Sequence, residues 1–145
     1  MESRDHLARP GQTVRQTVRL DVIDPEADGL SLEADLGYDP TDPYAMTIVF
    51  HTGTGPVAWS FGRELLVHGS YGPTGDGDVH IWPCLAVDSS AVVVIELSTP
   101  EDSVLLQAGA RDIARFVGAM LDSVPLGAET GHLDLDAELS DLLAC

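Results

Sequence analysis

Bulky apolar and polar residues alternate along most of this chain, and a period of two is typical of half-buried β-strands. The alternation occupies residues 18–22, 30–36, 45–51, 57–61 and 78–85, and two further apolar runs, residues 91–97 and 104–108, also fit strands. Residues 92–95 are β-branched without a break, which favours a strand buried on both faces. The pattern therefore predicts six or seven antiparallel strands.

The period changes towards the C-terminus. The apolar residues there follow the spacing of an amphipathic helix, at Ile113, Phe116, Val117, Met120, Leu121 and Val124. Pro125 ends this helix, and a second, shorter helix is expected at the chain end with Asp134 or Asp136 as its cap. A run of strands followed by helices indicates an α+β fold.

The stretch from residue 57 to 83, which contains both tryptophans, is expected to be the structural centre. Trp59 and Phe61 share one strand face. Each large aromatic ring can bury about 150–250 Å², so we expect these two to dominate the core. Residues 69–77 hold four glycines and a proline, which favours turns over a regular element. Residues 63–68 fit either a helical turn or a continued strand.

The charge balance excludes some classes of partner. The chain has 24 acidic residues against 7 basic ones, none of them lysine, and a formal net charge of −17. Affinity for nucleic acid comes largely from contacts between Lys or Arg and phosphate, so nucleic acid and anionic membranes are poor partners. No apolar run approaches the ~18 residues of a membrane span, so no integral membrane segment is expected.

The length of 145 residues suits one domain. Residues 1–12 are predicted to be a flexible N-terminal arm and residues 13–145 a single domain. The arm lacks the apolar region of a secretory signal. Two distant cysteines, Cys84 and Cys145, suit a reduced, cytoplasmic protein.

The candidate chemical groups are few. Asp76, Asp78 and His80 alternate at a turn and could contribute to a metal site, but a polar turn before an edge strand is the simpler interpretation. Asp39 and Asp42 suit acid–base work, but the neighbouring prolines favour capping of Asx turns instead.

Two further residues have an ordinary structural interpretation. Cys84 is expected to be a small buried hydrophobe, and Arg63 with Glu64 a surface ion pair. The sequence contains no Gly-x-Ser-x-Gly elbow, no phosphate-binding glycine loop and no paired-histidine zinc motif. We therefore predict no catalytic residues, no metal and no cofactor.

The C-terminal leucines are open to two interpretations. Leu139, Leu142 and Leu143 lie on one side of the expected terminal helix. Because a short terminal helix gains little stability alone, it would dock either on its own core or on another copy of the chain. Between copies of such an acidic chain we expect apolar contacts, through Phe116, Met120 and these leucines or through a strand edge.

Several ordered motifs resemble those of one known family. They are Tyr38-Asp39-Pro40-x-Asp42-Pro43-Tyr44-Ala45, Val57-x-Trp59-x-Phe61-x-Arg63-x-Leu65-Leu66, and Gly75-x-Gly77-Asp78-Val79-x-x-Trp82-Pro83. Later pieces agree, namely Ser98-Thr99-Pro100, Val124-Pro125-x-Gly127-x-Glu129 and His132-Leu133-Asp134-Leu135-Asp136. Over about residues 30–143 the chain resembles the SsgA-like proteins, regulators of sporulation and cell division in filamentous actinobacteria.

The resemblance implies a small cytoplasmic protein without catalytic activity that acts at the division septum. It implies homotrimers and contacts with division proteins such as the tubulin-like ring protein FtsZ or another SsgA-like protein. The implied fold is two packed antiparallel β-sheets followed by C-terminal helices, similar to the plant Whirly proteins. That likeness leaves a single-stranded nucleic-acid-binding module as the alternative function, against which the missing lysines argue. A small-molecule site in the sheet cleft is a third hypothesis.

The family motifs are expected to be mainly structural. The residues that carry them are Pro43, Tyr44, Trp59, Phe61, Arg63, Leu65, Leu66, Gly77, Asp78, Trp82, Pro83 and Pro125. Because most of them fall in turns and core strands, they identify a fold better than a binding surface.

Overall fold

The structure is a computed structural model, and it describes residues 10–24 and 29–132. The first half of this part contains β1 (Val14–Val22), β2 (Ser31–Tyr38), β3 (Ala45–Thr52), β4 (Gly55–Gly62) and α1 (Arg63–Gly69). The second half contains β5 (Thr74–Asp76), β6 (Val79–Leu85), β7 (Ala91–Ser98), β8 (Ser103–Gly109), α2 (Ala110–Ser123) and a short 3₁₀ turn (Glu129–His132). The predicted terminal helix lies outside the described residues.

The eight strands in the described part of the chain belong to one curled antiparallel sheet, in the order β4-β3-β2-β1-β8-β7-β6-β5. Each half of the chain forms a meander, and the two meanders join where Asp21 lies opposite Gln107 and Val22 opposite Leu106. The predicted fold of two packed sheets with helices after them is therefore wrong. Periodicity shows which face of a strand is buried, but it does not show that the first strand pairs with the last.

The core lies between the inner face of the curled sheet and α2. Leu20, Leu36 and Ile48 are 0% exposed on that face. Phe116 and Met120 of α2 are also 0% exposed and belong to the same cluster, so the predicted amphipathic helix is confirmed. An amphipathic helix gains most of its stability from such packing, because isolated helices of this length are marginal in water.

A second helix, α1, lies in the middle of the chain, where the sequence left helix and strand open. Its seven residues bury Leu66 and Val67. Its last residue, Gly69, sits against Ile81 of β6, and a Cβ atom built on Gly69 would lie 2.5 Å from Ile81 Cγ2. Only glycine allows the helix to approach the sheet this closely.

Four local expectations have different outcomes. Residues 92–95 are all buried, which confirms the strand with two covered faces. Trp59 and Phe61 do not dominate the core, because both are only half-buried on the edge strand β4. Cys84 is exposed rather than buried. The glycine-rich stretch also contains a short strand, β5, which pairs with β6.

Candidate functional site

The most unusual group in the described chain is the buried side chain of Arg63. It begins α1 and is 0% exposed. Its Nη1 donates a hydrogen bond to the carbonyl oxygen of Val124 at 2.7 Å, and its Nη2 donates to that of Pro125 at 3.2 Å. Nη2 also donates to Glu129 Oε2 at 2.8 Å, and the guanidinium carbon lies 5.1 Å from the centre of the Tyr38 ring. A planar guanidinium suits this combination of forked donation and stacking.

Glu129 completes a buried ion pair with Arg63. The residue is 4% exposed, and its Oε1 accepts a hydrogen bond from the Gly127 amide at 2.8 Å. Burial raises the pKa of Glu129, but the hydrogen bond from Arg63 and those from backbone amides outweigh it, so the pKa is lowered overall. The carboxyl group is therefore ionised at neutral pH, and both charges of the pair are present.

The loop between β2 and β3 packs around this ion pair. The Tyr38 hydroxyl donates to the Pro43 carbonyl at 2.8 Å, and the Arg63 amide donates to the Tyr44 carbonyl at 2.8 Å. The Tyr44 hydroxyl lies 2.8 Å from the Thr130 hydroxyl. The Tyr44–Thr130 contact and the hydrogen bonds of the Arg63 side chain bind the segment after α2 to the sheet.

We call this cluster the arginine junction. It comprises Tyr38, Pro43, Tyr44, Arg63, Val124, Pro125, Gly127, Glu129 and Thr130. Three separate family motifs meet in it, although they are far apart in the sequence. The junction offers packing and hydrogen bonds rather than a reacting group, because both charges are buried and directed at each other.

The interpretation of Arg63 and Glu64 as a surface ion pair is wrong. The carboxylate that binds Arg63 belongs to Glu129, whereas Glu64 is exposed and lies 3.5 Å from His68 Nε2. Both partners of the ion pair belong to family motifs, Arg63 to one and Glu129 to another. Nothing in their spacing shows that they meet.

The other motif residues lie away from the junction. Leu65 and Leu66 are on α1, and Trp59 and Phe61 are on β4. The remaining four belong to the turn before β6 or to β6 itself: Gly77, Asp78, Trp82 and Pro83. Gly77 has a φ of +60°, a left-handed conformation that favours glycine.

The predicted oligomer contacts divide into two groups. Phe116 and Met120 are 0% exposed because they pack inside their own chain. Leu139, Leu142 and Leu143 lie outside the described residues. A contact between copies through α2 would therefore need another part of that helix.

The acidic candidates lie in two separate places, the loop between β2 and β3 and the hairpin of β5 and β6. In the described part of the chain, no three His, Cys, Asp or Glu side chains are grouped closely enough to hold a metal. Asp39 caps its own turn, since its Oδ1 accepts hydrogen bonds from the Thr41 amide and hydroxyl at 2.9 and 2.8 Å. These bonds lower the pKa of Asp39 and confirm its predicted role in an Asx turn. The ring of His80 lies 3.8 Å from Glu96.

Comparison with known proteins identifies the group to which these motifs belong. The sequence profile of the family described as "Streptomyces sporulation and cell division protein, SsgA" matches residues 32–129. The chain belongs to the SsgA family. The matched segment begins in β2 and ends at Glu129, so it includes every residue of the arginine junction except Thr130.

Curated members of the SsgA family resemble the chain over nearly its whole length. The sporulation-specific cell division protein SsgB of Streptomyces coelicolor is 43% identical over 133 residues, which are 91% of this chain and 96% of that protein. SsgB of Salinispora tropica is 39% identical over 135 residues, 91% of this chain and 94% of that protein. Both are described as sporulation-specific cell division proteins.

A solved SsgA-family structure has the same fold. The crystal structure of an SsgA-like sporulation-specific cell division protein from Thermobifida fusca superposes with a TM-score of 0.81 at 35% identity, covering 93% of this chain and 98% of that one. A structure described through SsgB mutations that correlate with longitudinal division in Streptomyces coelicolor gives 0.78 at 40% identity, covering 84% and 96%. No described helix of the present chain is long and apolar enough to span a membrane.

The lowered pKa of Glu129 predicts how the stability depends on pH. A carboxyl group whose folded pKa lies below its unfolded value stabilises the fold above the unfolded value, about 4.3, and loses this contribution as the pH falls through the folded pKa. The difference in unfolding free energy between the natural protein and Glu129→Gln should therefore be largest at neutral pH and shrink below about pH 4.3.

Urea unfolding at a series of pH values measures this difference. Comparing two proteins removes the effect of other carboxyl groups with lowered pKa values, such as Asp35 and Asp88. A difference that stays constant from neutral to acid pH would contradict the assignment of Glu129.

Proposed function

We propose that this chain is a non-enzymatic regulator of sporulation-specific cell division that acts by protein–protein contact. Its role is to position or recruit septum machinery, such as FtsZ or another SsgA-like protein. Membership of a family of sporulation and cell division proteins carries this proposal, together with curated relatives that cover 91% of the chain. The cytoplasmic side of the division septum is the expected place of action.

The described surface supports contact with proteins better than contact with nucleic acid. A net charge of −17 and the absence of lysine oppose phosphate binding. Large apolar side chains are exposed instead at the hairpin between β6 and β7, where Leu85 is 66% and Val87 108% exposed. Exposed apolar patches that are framed by polar residues commonly mark protein contacts.

We also propose that the protein assembles as a homotrimer. Among the described strands, β4 and β5 form the two edges of the sheet, and β4 is the longer one, at eight residues. An edge strand presents unpaired backbone groups to another chain. Light scattering coupled to size-exclusion chromatography gives the assembly mass, and a monomer at working concentration would refute the trimer.

The proposed role predicts a septation defect in vivo. Deleting the gene from the source organism should abolish or misplace sporulation septa, and the natural gene should restore them. Leu85→Asp with Val87→Asp should fail to restore septa while leaving the protein folded, because both side chains face solvent. A matched control is Gly53→Asp, which adds a charge to another exposed turn with open space around it.

Pull-down of FtsZ and of the other SsgA-like proteins from the same cells connects the phenotype to a contact. The natural protein and Gly53→Asp should retain a division protein, and the hairpin variant should lose it. Normal septation after deletion, together with no retained division protein, would refute the proposed function.

A further inference from the structure

The inner face of the sheet is covered unevenly. Helix α2 packs on β1, β7 and β8, and α1 packs mainly on β5 and β6. The inner face of β4 is covered least at its start, where Val57 is 44% exposed, and Trp59 and Phe61 further along are half-buried. A sheet face with bulky apolar residues normally packs against another layer, and the described residues leave part of β4 without one.

The open face leads into an apolar hollow of about 210 Å³. Its walls include Val22, Leu32, Phe50, Val57, Trp59 and Leu106. Leu30, whose carbonyl accepts a hydrogen bond from the Val22 amide beside the hollow, is 54% exposed. The described residues therefore leave apolar side chains open to solvent around the hollow.

The described chain ends at one end of this face. The Thr130 hydroxyl lies 2.8 Å from Tyr44, which immediately precedes β3. In the register of β3 and β4, Ile48 lies opposite Trp59 and Phe50 opposite Val57. At about 3.3 Å per strand residue, Trp59 is about 13 Å and Val57 about 20 Å along the sheet from Tyr44.

The remaining C-terminal segment has the length and the chemistry to cover this face. Residues 133–143 lie outside the described part, and as a helix they would span about 16 Å, or more if extended. Their sequence places Leu135, Leu139, Leu142 and Leu143 at helical spacing, i, i+4, i+7 and i+8. Most of the residues between these leucines are acidic and suit solvent.

We propose that residues 133–143 dock in the same chain along the inner face of β4, with Leu139, Leu142 and Leu143 covering Trp59 and the hollow. The covalent link to residue 132 supplies a high effective concentration, which favours this occupant over a separate molecule. The proposal is independent of the role in division. If the terminal leucines pack on the sheet of their own chain, copies of the chain would contact each other through a strand edge instead.

The charges around the hollow predict how docking depends on salt concentration. Asp24, Glu101 and Asp102 occupy the turns beside the hollow, and the docking segment is itself acidic. Like charges at the surface repel each other less when salt screens them. Docking should therefore be strengthened by added salt, whereas a contact held by opposite charges would be weakened.

The first test uses Trp59 as a fluorescent reporter in the full-length protein, with Trp82 replaced by phenylalanine. Leu139→Asp with Leu142→Asp should shift the Trp59 emission to longer wavelength and increase its quenching by acrylamide, because the ring becomes more exposed to water. The matched control is Glu138→Gln with Asp141→Asn, which changes the same segment at polar positions and should leave the emission unshifted.

The second test is a disulfide between the segment and the sheet. In a chain with Cys84→Ser and Cys145→Ser, the changes Val57→Cys and Leu142→Cys should give a crosslink within one chain on oxidation. Such a crosslink changes mobility on a non-reducing gel without doubling the mass. The control pairs Leu142→Cys with Gly53→Cys on the turn between β3 and β4, and it should crosslink much less.

Three results would contradict parts of this proposal. A crosslinked dimer would show that the segment docks on a neighbouring copy, and it would overturn docking in the same chain. An unshifted Trp59 emission together with no crosslink would show that something else covers the hollow. A loss of crosslinking in high salt would contradict the predicted charge relation.

Discussion

Replacing Arg63 with methionine should lower the unfolding free energy by about 3–5 kcal/mol, as measured for buried ion pairs that lose one partner. The change leaves the Glu129 carboxylate, which is 4% exposed, without its cation. It also removes the hydrogen-bond donors to the carbonyl oxygens of Val124 and Pro125. Urea unfolding followed by circular dichroism measures the loss.

Two further variants separate the ion pair from simple loss of charge. Arg19→Met removes an arginine whose side chain is 72% exposed and which pairs with Asp21 at the surface, so it should change the stability by less than about 1 kcal/mol. Arg63→Met combined with Glu129→Leu removes both buried charges and should recover part of the loss. If Arg63→Met and Arg19→Met cost the same, the arginine junction does not hold the fold together.

Adding one methyl group at Gly69 should lower the unfolding free energy by about 1–3 kcal/mol, the usual cost of overpacking. The new Cβ atom would lie 2.5 Å from Ile81 Cγ2 and 2.7 Å from Ile81 Cβ. Ile81 is itself 0% exposed, so it has no free space to move into, and α1 must shift away from β6. We expect the upper part of that range.

The same substitution elsewhere should have the opposite sign. Gly118 is exposed within α2, and a Cβ atom there would meet nothing within 4 Å. Gly118→Ala should therefore raise the unfolding free energy by about 0.5–1 kcal/mol, because alanine favours the helix over the unfolded chain. Thermal unfolding of both variants checks the pair, and equal effects would contradict the close packing of α1 on β6.

Local structure was predictable from this sequence because it depends on neighbouring residues. Alternation revealed the long strands, and the spacing from Ile113 to Val124 revealed α2. Their assembly into one sheet was not predictable. It depends on pairing between Val22 and Leu106, and no periodic pattern marks two residues that distant as neighbours.

The arginine junction shows the same limit at the level of single residues. The motifs around Tyr44, Arg63 and Pro125 are separate in the sequence, and each one alone indicates only a local feature. The sequence did contain one sign of a buried ion pair, because the charged Arg63 lies between the apolar residues Phe61 and Leu65. Its partner, Glu129, becomes evident only in three dimensions.

We propose that the family motifs act mainly in folding rather than in binding. Arg63, Tyr38 and Glu129 hold the segment after α2 in place, whereas Leu85 and Val87 at the exposed hairpin tip belong to no quoted motif.

The pairing of the first strand with the last has a consequence during synthesis on the ribosome. The meander from β1 to β4 can form early, but its central partner β8 emerges only after some hundred residues have been translated. Until then the apolar inner face of the first meander is covered neither by α2 nor by the second meander. Closure across such a long loop is slow compared with local hairpins, so chaperones have a long interval in which to engage the unfinished chain.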